Sequence, residues 1–388
     1  MSPQTFAELG VSAPVVAALT DRGITQPFPV QALVVGDVLA ERDVLVKSPT
    51  GSGKTLAFGI PLMDLAEAGG YPSTLILAPT RELASQIVQE LRAIARARSL
   101  NVVAVYGGVA ISPQIKAVKS ADVLVATPGR LIDLLDRRAV RLDHVEALVL
   151  DEADRMLDMG FKPAVDRIVK QTPADRQTLL FSATLEGEVA RLARDYTRDA
   201  VRHEHAPTLE SKGKIEHRFL RVAHDGKSDE LVRALGEDGR GRTLVFVRTK
   251  RGADRLAKRL GKHDVAAVAM HGDKSQGQRE RALASFESGK VPTLIATDVA
   301  ARGIDVAGIT HVINYDMPAA AEDYVHRIGR TARAGSSGVG LTFVVDDQAK
   351  DAVKMYSGLG LERELAAAGL HAPTNGGGSG QPHRRRRR

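Results

Sequence analysis

Three carboxylates follow a short apolar run near the middle of the chain. Asp151, Glu152 and Asp154 come directly after Ala147–Leu150, which has the length and composition of a buried strand. Neighbouring carboxylates at the tip of a buried strand repel each other and lose hydration, so they indicate a bound cation or proton-transfer chemistry. We predict that Asp151 holds Mg²⁺ and that Glu152 polarises an attacking water. A solvated acidic helix N-terminus is the alternative interpretation.

A candidate phosphate-binding loop, SPTGSGKT, lies earlier in the chain at residues 48–55. Its glycines let backbone N–H groups surround phosphate oxygens, its lysine can reach the terminal phosphates, and its last hydroxyl suits Mg²⁺. The strict pattern has Gly where this chain has Ser48, and an ordinary glycine-rich turn is the alternative. An apolar strand before the loop and a helical pattern after it favour a nucleotide site. The predicted nucleotide contacts of the loop are Thr50, Gly51, Ser52, Gly53, Lys54 and Thr55.

The composition excludes several classes of site. The chain has 388 residues, enough for two or three domains, and 43% of them are apolar. The absence of Cys excludes disulfides, thiolate metal sites and Cys nucleophiles. Because the N-terminus lacks a signal-peptide pattern and no apolar run reaches the length of a membrane span, we expect a cytoplasmic protein with no membrane partner. Arg384–Arg388 supply much of the net charge of +7, so the rest of the chain would meet a polyanion through a local positive stripe.

Apolar runs alternate with helical patterns through both halves of the chain. This alternation predicts two α/β domains, each a mostly parallel sheet with helices on both faces. The predicted strands are residues 43–47, 74–78, 102–106, 123–126, 147–150, 178–181, 217–222, 243–247, 265–270, 293–296, 311–315 and 340–345. The polar stretch 202–214 interrupts the pattern, and we place the domains at 1–205 and 215–370 with a linker at 206–214. The Gly-, Ser- and Arg-rich tail, 371–388, is predicted to be disordered.

Nearly every unusual polar cluster directly follows a predicted strand. Ligands of open parallel sheets bind beyond the carboxyl ends of the strands. We therefore expect the clusters of each domain to share one edge of its sheet. The two edges would form a single cleft if they face each other.

With these motifs in this order, the chain resembles the DEAD-box family of RNA helicases, in its minimal bacterial type, over roughly residues 6–345. The resemblance implies two tandem RecA-like domains, ATP and Mg²⁺ as cofactors, and RNA as the partner. It implies binding to single strands and short duplexes without sequence preference, because contacts to the sugar-phosphate backbone carry no base information. Ribosomal or RNA-degradation proteins are candidate protein partners.

The segment TQPFPVQ at residues 25–31 resembles the adenine-reading motif of this family, with Phe28 where the family usually has Thr. An amide carries both a donor and an acceptor, so Gln31 can match adjacent groups on the adenine edge. The resemblance assigns Gln26 to the nucleotide as well. It makes Phe6 a candidate stacking partner of the base. Core packing of the N-terminal helix is the alternative for Phe6.

Several further motifs resemble the RNA-binding motifs of the family. Arginines can contact phosphates, and glycines let a backbone approach the strand closely. A helix N-cap and an ordinary turn are the alternatives for the threonine- and glycine-containing motifs. The candidate RNA contacts are Arg81, Gly108, Thr127, Gly129 and Arg130 in the first domain and Arg248, Thr249, Gly272 and Thr297 in the second.

The motif HRIGRTAR at residues 326–333 carries three arginines at a spacing of three. On a helix, Arg327, Arg330 and Arg333 would share one face, which favours a role with anions, although a solvated basic face is the alternative. The resemblance makes Arg330 and Arg333 arginine fingers for the γ-phosphate. It places Gly303 and Asp305 on the nucleotide side.

The segment SAT at residues 182–184 resembles the motif that couples ATP hydrolysis to strand separation in this family. The hydroxyls of Ser182 and Thr184 are predicted to hydrogen-bond Asp154, with a plain turn as the alternative. The resemblance gives His326 and Arg327 coupling roles as well.

We therefore expect an ATP-dependent RNA helicase that opens short duplexes or remodels ribonucleoproteins when its domains close over ATP and RNA. An ATP-gated RNA clamp with little unwinding and a processive DNA helicase are the alternatives. Gln31 and the tetrad at 151–154 argue against the DNA helicase. We expect Arg384–Arg388 to add non-specific, salt-dependent RNA affinity.

Overall fold

The computed structural model describes residues 4–48, 52–204, 214–236, 240–301, 306, 308–332 and 336–371. The described residues form two compact units, the first ending at residue 204 and the second beginning at residue 214. The predicted tail and most of the predicted linker lie outside the described residues. Within the described parts of the chain, no helix is both long enough and apolar enough to cross a membrane.

The first unit is a seven-stranded sheet in the order β3-β4-β2-β5-β6-β1-β7, with every neighbouring pair parallel. Its strands are β1 (Val44–Lys47), β2 (Thr74–Leu77), β3 (Val102–Val105), β4 (Val123–Ala126), β5 (Ala147–Leu150), β6 (Gln177–Ser182) and β7 (Val201–Glu204). Its helices are α1 (Ala13–Thr20), α2 (Pro29–Leu39), α3 (Lys54–Leu65), α4 (Arg81–Ala97), α5 (Ile111–Ala117), α6 (Pro128–Asp136), α7 (Ala153–Asp158), α8 (Lys162–Val169) and α9 (Gly187–Tyr196).

The second unit is a six-stranded parallel sheet in the order β10-β11-β9-β12-β13-β8. Its strands are β8 (Ile215–Val222), β9 (Arg242–Phe246), β10 (Ala267–Met270), β11 (Thr293–Ala296), β12 (Ile309–Asn314) and β13 (Gly338–Val345). Its helices are α10 (Lys227–Leu235), α11 (Lys250–Gly261), α12 (Gln276–Glu287), α13 (Asp298–Ala301), α14 (Ala321–Ile328), α15 (Ala349–Ser357) and α16 (Glu362–Ala367).

Helices cover both faces of each sheet, and this explains the unbroken apolar strands. In β2, Ile76 packs into the cluster formed with α1–α4, whereas Leu75 and Leu77 pack into the opposite cluster formed with α6–α9. In the second sheet, Val222 of β8 packs with α10 and α11. Phe219, three residues earlier in β8, faces the other way. Its ring centroid lies 4.7 Å from that of Tyr356 in α15. A strand buried on both faces needs apolar side chains at successive positions.

The predicted strands match the observed ones to within one or two residues, with one strand missed. The stretch from residue 202 was interpreted as the start of a linker, but Val201–Glu204 forms β7. This strand lies at the sheet edge and pairs in parallel with β1, in register from Val44↔Val201 to Lys47↔Glu204. No side chain of β7 is fully buried. An edge strand needs few apolar side chains, so the apolar pattern that identified the central strands was absent here.

Buried carboxylates at the amino ends of the strands have structural partners. Asp122, which precedes β4, accepts hydrogen bonds from the backbone N–H groups of Gly69 (2.9 Å), Gly70 (3.0 Å) and Asn101 (2.7 Å). It is 5% exposed. One carboxylate thus satisfies three backbone donors that flank β2 and β3, and it ties these strand entries together.

We expect Asp122→Ala to lower the free energy of unfolding by about 3 kcal/mol, because three partly buried N–H groups lose a charged acceptor. Asp143→Ala is the matched control, since Asp143 is an exposed carboxylate whose partner is the exposed Arg141. Urea denaturation followed by circular dichroism compares the two. Equal stabilities for the two variants would contradict the structural role of Asp122.

Candidate nucleotide site and RNA-binding residues

Two motifs predicted to hold nucleotide or its metal, and the predicted coupling motif, follow three adjacent strands of the first sheet. The order β5-β6-β1 brings together the carboxylate tetrad after β5, residues 182–184 at the end of β6, and the phosphate loop after β1. The motifs predicted to hold RNA follow β3, β4 and β2, in the other half of the sheet. Because all these strands are parallel, both groups lie along the same carboxyl edge. The order of the strands in the sheet therefore separates the nucleotide motifs from the RNA motifs. In the sequence, the two kinds of motif are interleaved.

The phosphate loop leads into α3 through a glycine with a left-handed backbone conformation. Gly53 has φ 90°, and a Cβ on it would lie 2.8 Å from both the Phe28 ring and the Gln31 amide nitrogen. Lys54, the first residue of α3, is 7% exposed, and its Nζ donates to the Ser48 carbonyl at 3.1 Å. The Ser48 and Ser52 hydroxyls lie 2.6 Å apart, so Ser48 takes part in the loop's own bonding.

Two of the predicted loop contacts, Thr50 and Gly51, lie outside the described residues. Thr55 follows Lys54 in the first turn of α3 and is half-buried. The described part of the loop thus presents an ammonium group and a hydroxyl at a helix N-terminus. This is a favourable setting for phosphate.

Asp151 is a buried acid without full compensation for its charge. It is 2% exposed, and burial raises its pKa to about 6, with the nearby charges of Glu152 and Asp154 acting in the same direction. The charge of Lys54 and the backbone N–H of Glu152, which donates at 3.0 Å, oppose this rise. A nearby cation would stabilise the ionised form of such a buried carboxylate.

The residues present therefore fit a divalent cation held by Asp151 and Thr55. No group of three or more His, Asp and Glu side chains among the described residues could by itself enclose a metal ion. A cation here would take its other ligands from water and phosphate oxygens, which is how Mg²⁺ is usually bound with nucleotides.

Glu152 is held by a residue that the sequence analysis did not identify. Arg155, one helical turn later, donates from Nη1 to Glu152 Oε2 at 2.6 Å, and both side chains are less than 10% exposed. Glu152 itself has φ 51° and ψ 53°, in the left-handed region that non-glycine residues seldom adopt. The spacing i, i+3 was the available signal for this ion pair. The pair fixes the carboxylate at the start of α7.

The tetrad is connected to β6, but through atoms other than those predicted. The Asp154 carboxylate accepts from the backbone N–H of Ala183 at 3.0 Å, not from a hydroxyl. The Ser182 hydroxyl accepts from the backbone N–H groups of Asp154 at 3.4 Å and Thr184 at 3.3 Å.

The Gln31 amide holds the phosphate loop in place. Gln31 is 2% exposed; its Oε1 accepts from the Phe28 backbone N–H at 2.9 Å, and its Nε2 donates to the Gly53 carbonyl at 3.1 Å. Phe6 is 2% exposed and belongs to the core formed with α1–α4, so the structure supports the core-packing alternative over base stacking. Gln26 is exposed.

Arg130 is buried and holds a loop, which the prediction of a phosphate contact did not anticipate. It is 8% exposed; its Nη1 donates to Gln114 Oε1 at 2.9 Å and its Nη2 to the Val109 carbonyl at 3.0 Å. Gln114, a residue missed in the sequence, also donates to the Tyr106 carbonyl at 3.1 Å. Together these bonds shape the loop that carries Gly108.

The other RNA candidates of the first unit lie at the same edge. Gly108 has φ 80°, a backbone conformation that favours glycine, and the guanidinium of Arg81 lies where its Cβ would be. Thr127 is 7% exposed and precedes α6. A Cβ on Gly129 would meet no atom within 4 Å, so the fold itself does not require glycine at this position.

In the second unit, the RNA candidates follow β9, β10 and β11, again three adjacent strands. The Thr249 hydroxyl caps α11 by accepting from the Gly252 N–H at 3.0 Å. The Arg248 backbone N–H donates to Asp316 at 2.8 Å and leaves its side chain exposed. Gly272 is exposed and Thr297 is buried. The side chains thus face different environments although they share one edge.

Arg327 and Arg330 do not share a helix face, because α14 ends at Ile328. Arg327 is 4% exposed and bonds Asp298 through two nitrogens at 2.6 and 2.7 Å. Its Nη1 donates to Asn314 Oδ1 at 3.1 Å and to the Asp316 carbonyl at 2.7 Å. Arg327 therefore joins the ends of β11, β12 and α14.

The remaining predicted residues of this motif are only partly described. Arg330 is 4% exposed and follows the end of α14, and His326 is half-buried. Arg333, Gly303 and Asp305 lie outside the described residues. Their predicted contacts with nucleotide stay predictions.

We expect Arg155→Met to lower the free energy of unfolding by about 3–5 kcal/mol, because it leaves the Glu152 carboxylate buried without its cation. Combining it with Glu152→Gln should recover much of this loss, since no buried charge then remains at the pair. Arg141→Met, at the exposed pair with Asp143, is the control. Chemical denaturation provides the comparison, and a loss no larger than in the control would refute the buried pair.

The raised pKa of Asp151 predicts a pH dependence of stability in the metal- and nucleotide-free protein. The folded pKa of about 6 lies above the ordinary 3.8, so the folded state favours the proton, and this contribution is lost as pH rises from about 4 through about 6. Relative to Asp151→Asn, the wild type should lose about 3 kcal/mol over that range. Denaturation of both proteins at a series of pH values measures the difference. A constant difference would show that Asp151 ionises normally.

Comparison with known proteins places these features in a family. The family model described as DEAD/DEAH box helicase matches residues 28–192, and that described as Helicase conserved C-terminal domain matches residues 226–335. The ATP-dependent RNA helicase CshA of Listeria monocytogenes is 42% identical over 348 residues, which are 87% of this chain and 66% of that protein. The protein of the same name from Geobacillus kaustophilus is 43% identical over 88% of this chain and 73% of its own length. The chain thus spans about two thirds of the length of these relatives.

Solved structures agree with the fold. Dbp5 of S. cerevisiae, bound to RNA and ADP BeF3, matches with a TM-score of 0.82 at 29% identity, over 94% of this chain and 93% of that one. Mss116p bound to ssRNA and AMP-PNP matches with a TM-score of 0.80 at 26% identity, over 96% of this chain and 79% of that one. The two units therefore have the RecA-like fold that the resemblance implied. With both family models matched and identities above 40% to these relatives, the chain belongs to the DEAD-box family of ATP-dependent RNA helicases.

Proposed function

We propose that this chain is an RNA-stimulated ATPase that uses ATP to separate short RNA duplexes or remodel ribonucleoproteins. The observation that carries the proposal is that Lys54, Asp151 and Glu152 lie at the same edge of the sheet, after β1 and β5, which are separated by β6 alone. All three side chains have little exposure to water. This set is suited to phosphoryl transfer to water, because it combines a lysine at a helix N-terminus, a carboxylate that can bind a cation and a second carboxylate.

Each residue has a distinct role in this mechanism. Lys54 and the phosphate loop hold the β- and γ-phosphates, while Thr55 and Asp151 hold Mg²⁺. An Mg²⁺ ion held by Thr55 and Asp151 would supply positive charge to offset the charge of the phosphates. Glu152 orients the attacking water and accepts its proton, in a position fixed by Arg155.

The connection from Asp154 to Ala183 supports a coupling role for this pair. A movement of the tetrad on hydrolysis would pull on the chain after β6 through this hydrogen bond. RNA would be held by its backbone along the half of the edge that follows β2, β3 and β4, and along β9, β10 and β11 of the second unit. The backbone contacts explain why binding would be independent of base sequence.

We propose that the second unit completes the ATP site by domain closure, with Arg330 and Arg333 donated to the γ-phosphate. The support is the position of Arg330 directly after α14, whose Arg327 is fixed by Asp298. Two of the similar solved proteins carry both RNA and a nucleotide or its analogue, as such a closed state requires.

The test is ATP turnover with and without RNA, using Glu152→Gln. We expect turnover to fall by about 10²- to 10⁴-fold, because the water loses its base, while ATP and RNA binding survive. Glu146→Gln is the matched control, since Glu146 is an exposed glutamate at the opposite end of the same strand. Unchanged turnover in Glu152→Gln would contradict the proposed role of Glu152 as the base for the attacking water.

A strand-displacement assay on a short RNA duplex, run with the same proteins, separates unwinding from simple clamping. With less protein than RNA duplex, we expect the wild type to displace the strand only when ATP is present. Glu152→Gln should not displace it under the same conditions. ATP-dependent retention of single-stranded RNA without displacement would favour the clamp instead.

A further inference from the structure

One aromatic side chain beside the phosphate loop is exposed and has no assigned role. Phe28 is 58% exposed, although a large apolar side chain in water is unfavourable. Its ring lies against Gly53, since a Cβ on that glycine would be 2.8 Å from the Phe28 Cδ2 atom. The position is the residue before α2, held by the hydrogen bond from its backbone N–H to Gln31.

The side chains first predicted to recognise the base are engaged elsewhere. Phe6 is packed in the core at 2% exposure. The Gln31 amide is equally buried and bonds both Phe28 and Gly53. At the border of the loop, the exposed surface is instead formed by Phe28, with Gln26 two residues before it also exposed.

The exposure of Phe28 is not a general property of aromatic residues in this chain. Among the described residues, the other exposed aromatic side chain is Tyr71, and its ring contacts His144 at 4.3 Å between centroids. Tyr71 lies in the connection before β2, at the amino end of the strands. Phe28 is thus the exposed aromatic that borders the carboxyl edge, next to the first residues of α3.

We propose that Phe28 stacks on the base of the bound nucleoside triphosphate. The inference rests on the proposed ATP-binding function, because phosphates held at the loop bring an attached ribose and base to the side chains that border it. An aromatic ring offers a π-face to any base, and such stacking is tolerant of base identity. Phe28 would therefore add affinity for the nucleoside part without selecting adenine by hydrogen bonds.

The test must take into account that the Phe28 ring also lies against Gly53 of the phosphate loop. A substitution could weaken nucleotide binding by disturbing the loop, so the phosphate and base contributions must be measured separately. Inorganic tripolyphosphate reports on the loop alone, whereas ATP reports on loop and base together. Phe28→Leu keeps apolar bulk against Gly53 and removes the ring. Tyr71→Leu is the matched control at the remote exposed aromatic.

We expect Phe28→Leu to weaken ATP binding about tenfold or more, the size of a lost base–aromatic stack, and to leave tripolyphosphate binding unchanged. Calorimetric titration of the full chain with ATP and with tripolyphosphate, each in the presence of Mg²⁺, gives the two affinities. Equal weakening of both ligands would show that Phe28 only supports the loop, and no change in either would show that the ring is idle. Both results overturn the inference. Failure of the wild type to bind ATP at all would instead overturn the proposed function.

The sequence offers a second readout because the chain contains no Trp. Phe28→Trp introduces a single indole at the proposed contact and preserves an aromatic face. A stacked base should quench its fluorescence, so ATP should reduce the emission and tripolyphosphate should not. Equal responses to the two ligands would place the base away from this residue.

Discussion

The parallel arrangement of both sheets is the constraint on which the rest of the structure depends. When every strand runs in the same direction, every loop after a strand emerges at one edge, and the helices that return the chain must cover both faces. The apolar strands follow from that covering, as the opposite packing of Leu75 and Ile76 illustrates. The polar clusters follow from it as well, because the carboxyl edge is where loops are free of the packing that fills the faces.

Within that edge, buried charges are balanced to different degrees. Glu152 has Arg155, and Arg327 has Asp298, so each of these charges is paired inside the protein. Burial raises the pKa of Asp151 to about 6, and the charge of Lys54 opposes this rise only in part. The contrast separates structural charges from the one that a ligand would complete.

Several residues that a motif would assign to ligands instead position the loops around them. Gln31 joins α2 to the phosphate loop, and Arg130 with Gln114 shapes the glycine loop after β3. Arg327 joins β11, β12 and α14. These bonds hold the loops at the carboxyl edge in defined conformations.

The sequence by itself determined the central strands, the division into two α/β halves and the place of each motif after a strand. It could do so because apolar periodicity and glycine spacing are local properties of the chain. Only the tertiary structure decided that residues 201–204 form an edge strand, that Phe6 is core and Phe28 is exposed, and that α14 ends before Arg330. These outcomes depend on partners distant in the chain, such as Gln31 with Gly53 and Arg327 with Asp298. A hydrogen bond between distant residues exists only after the sheet has brought them together, so no local pattern encodes it.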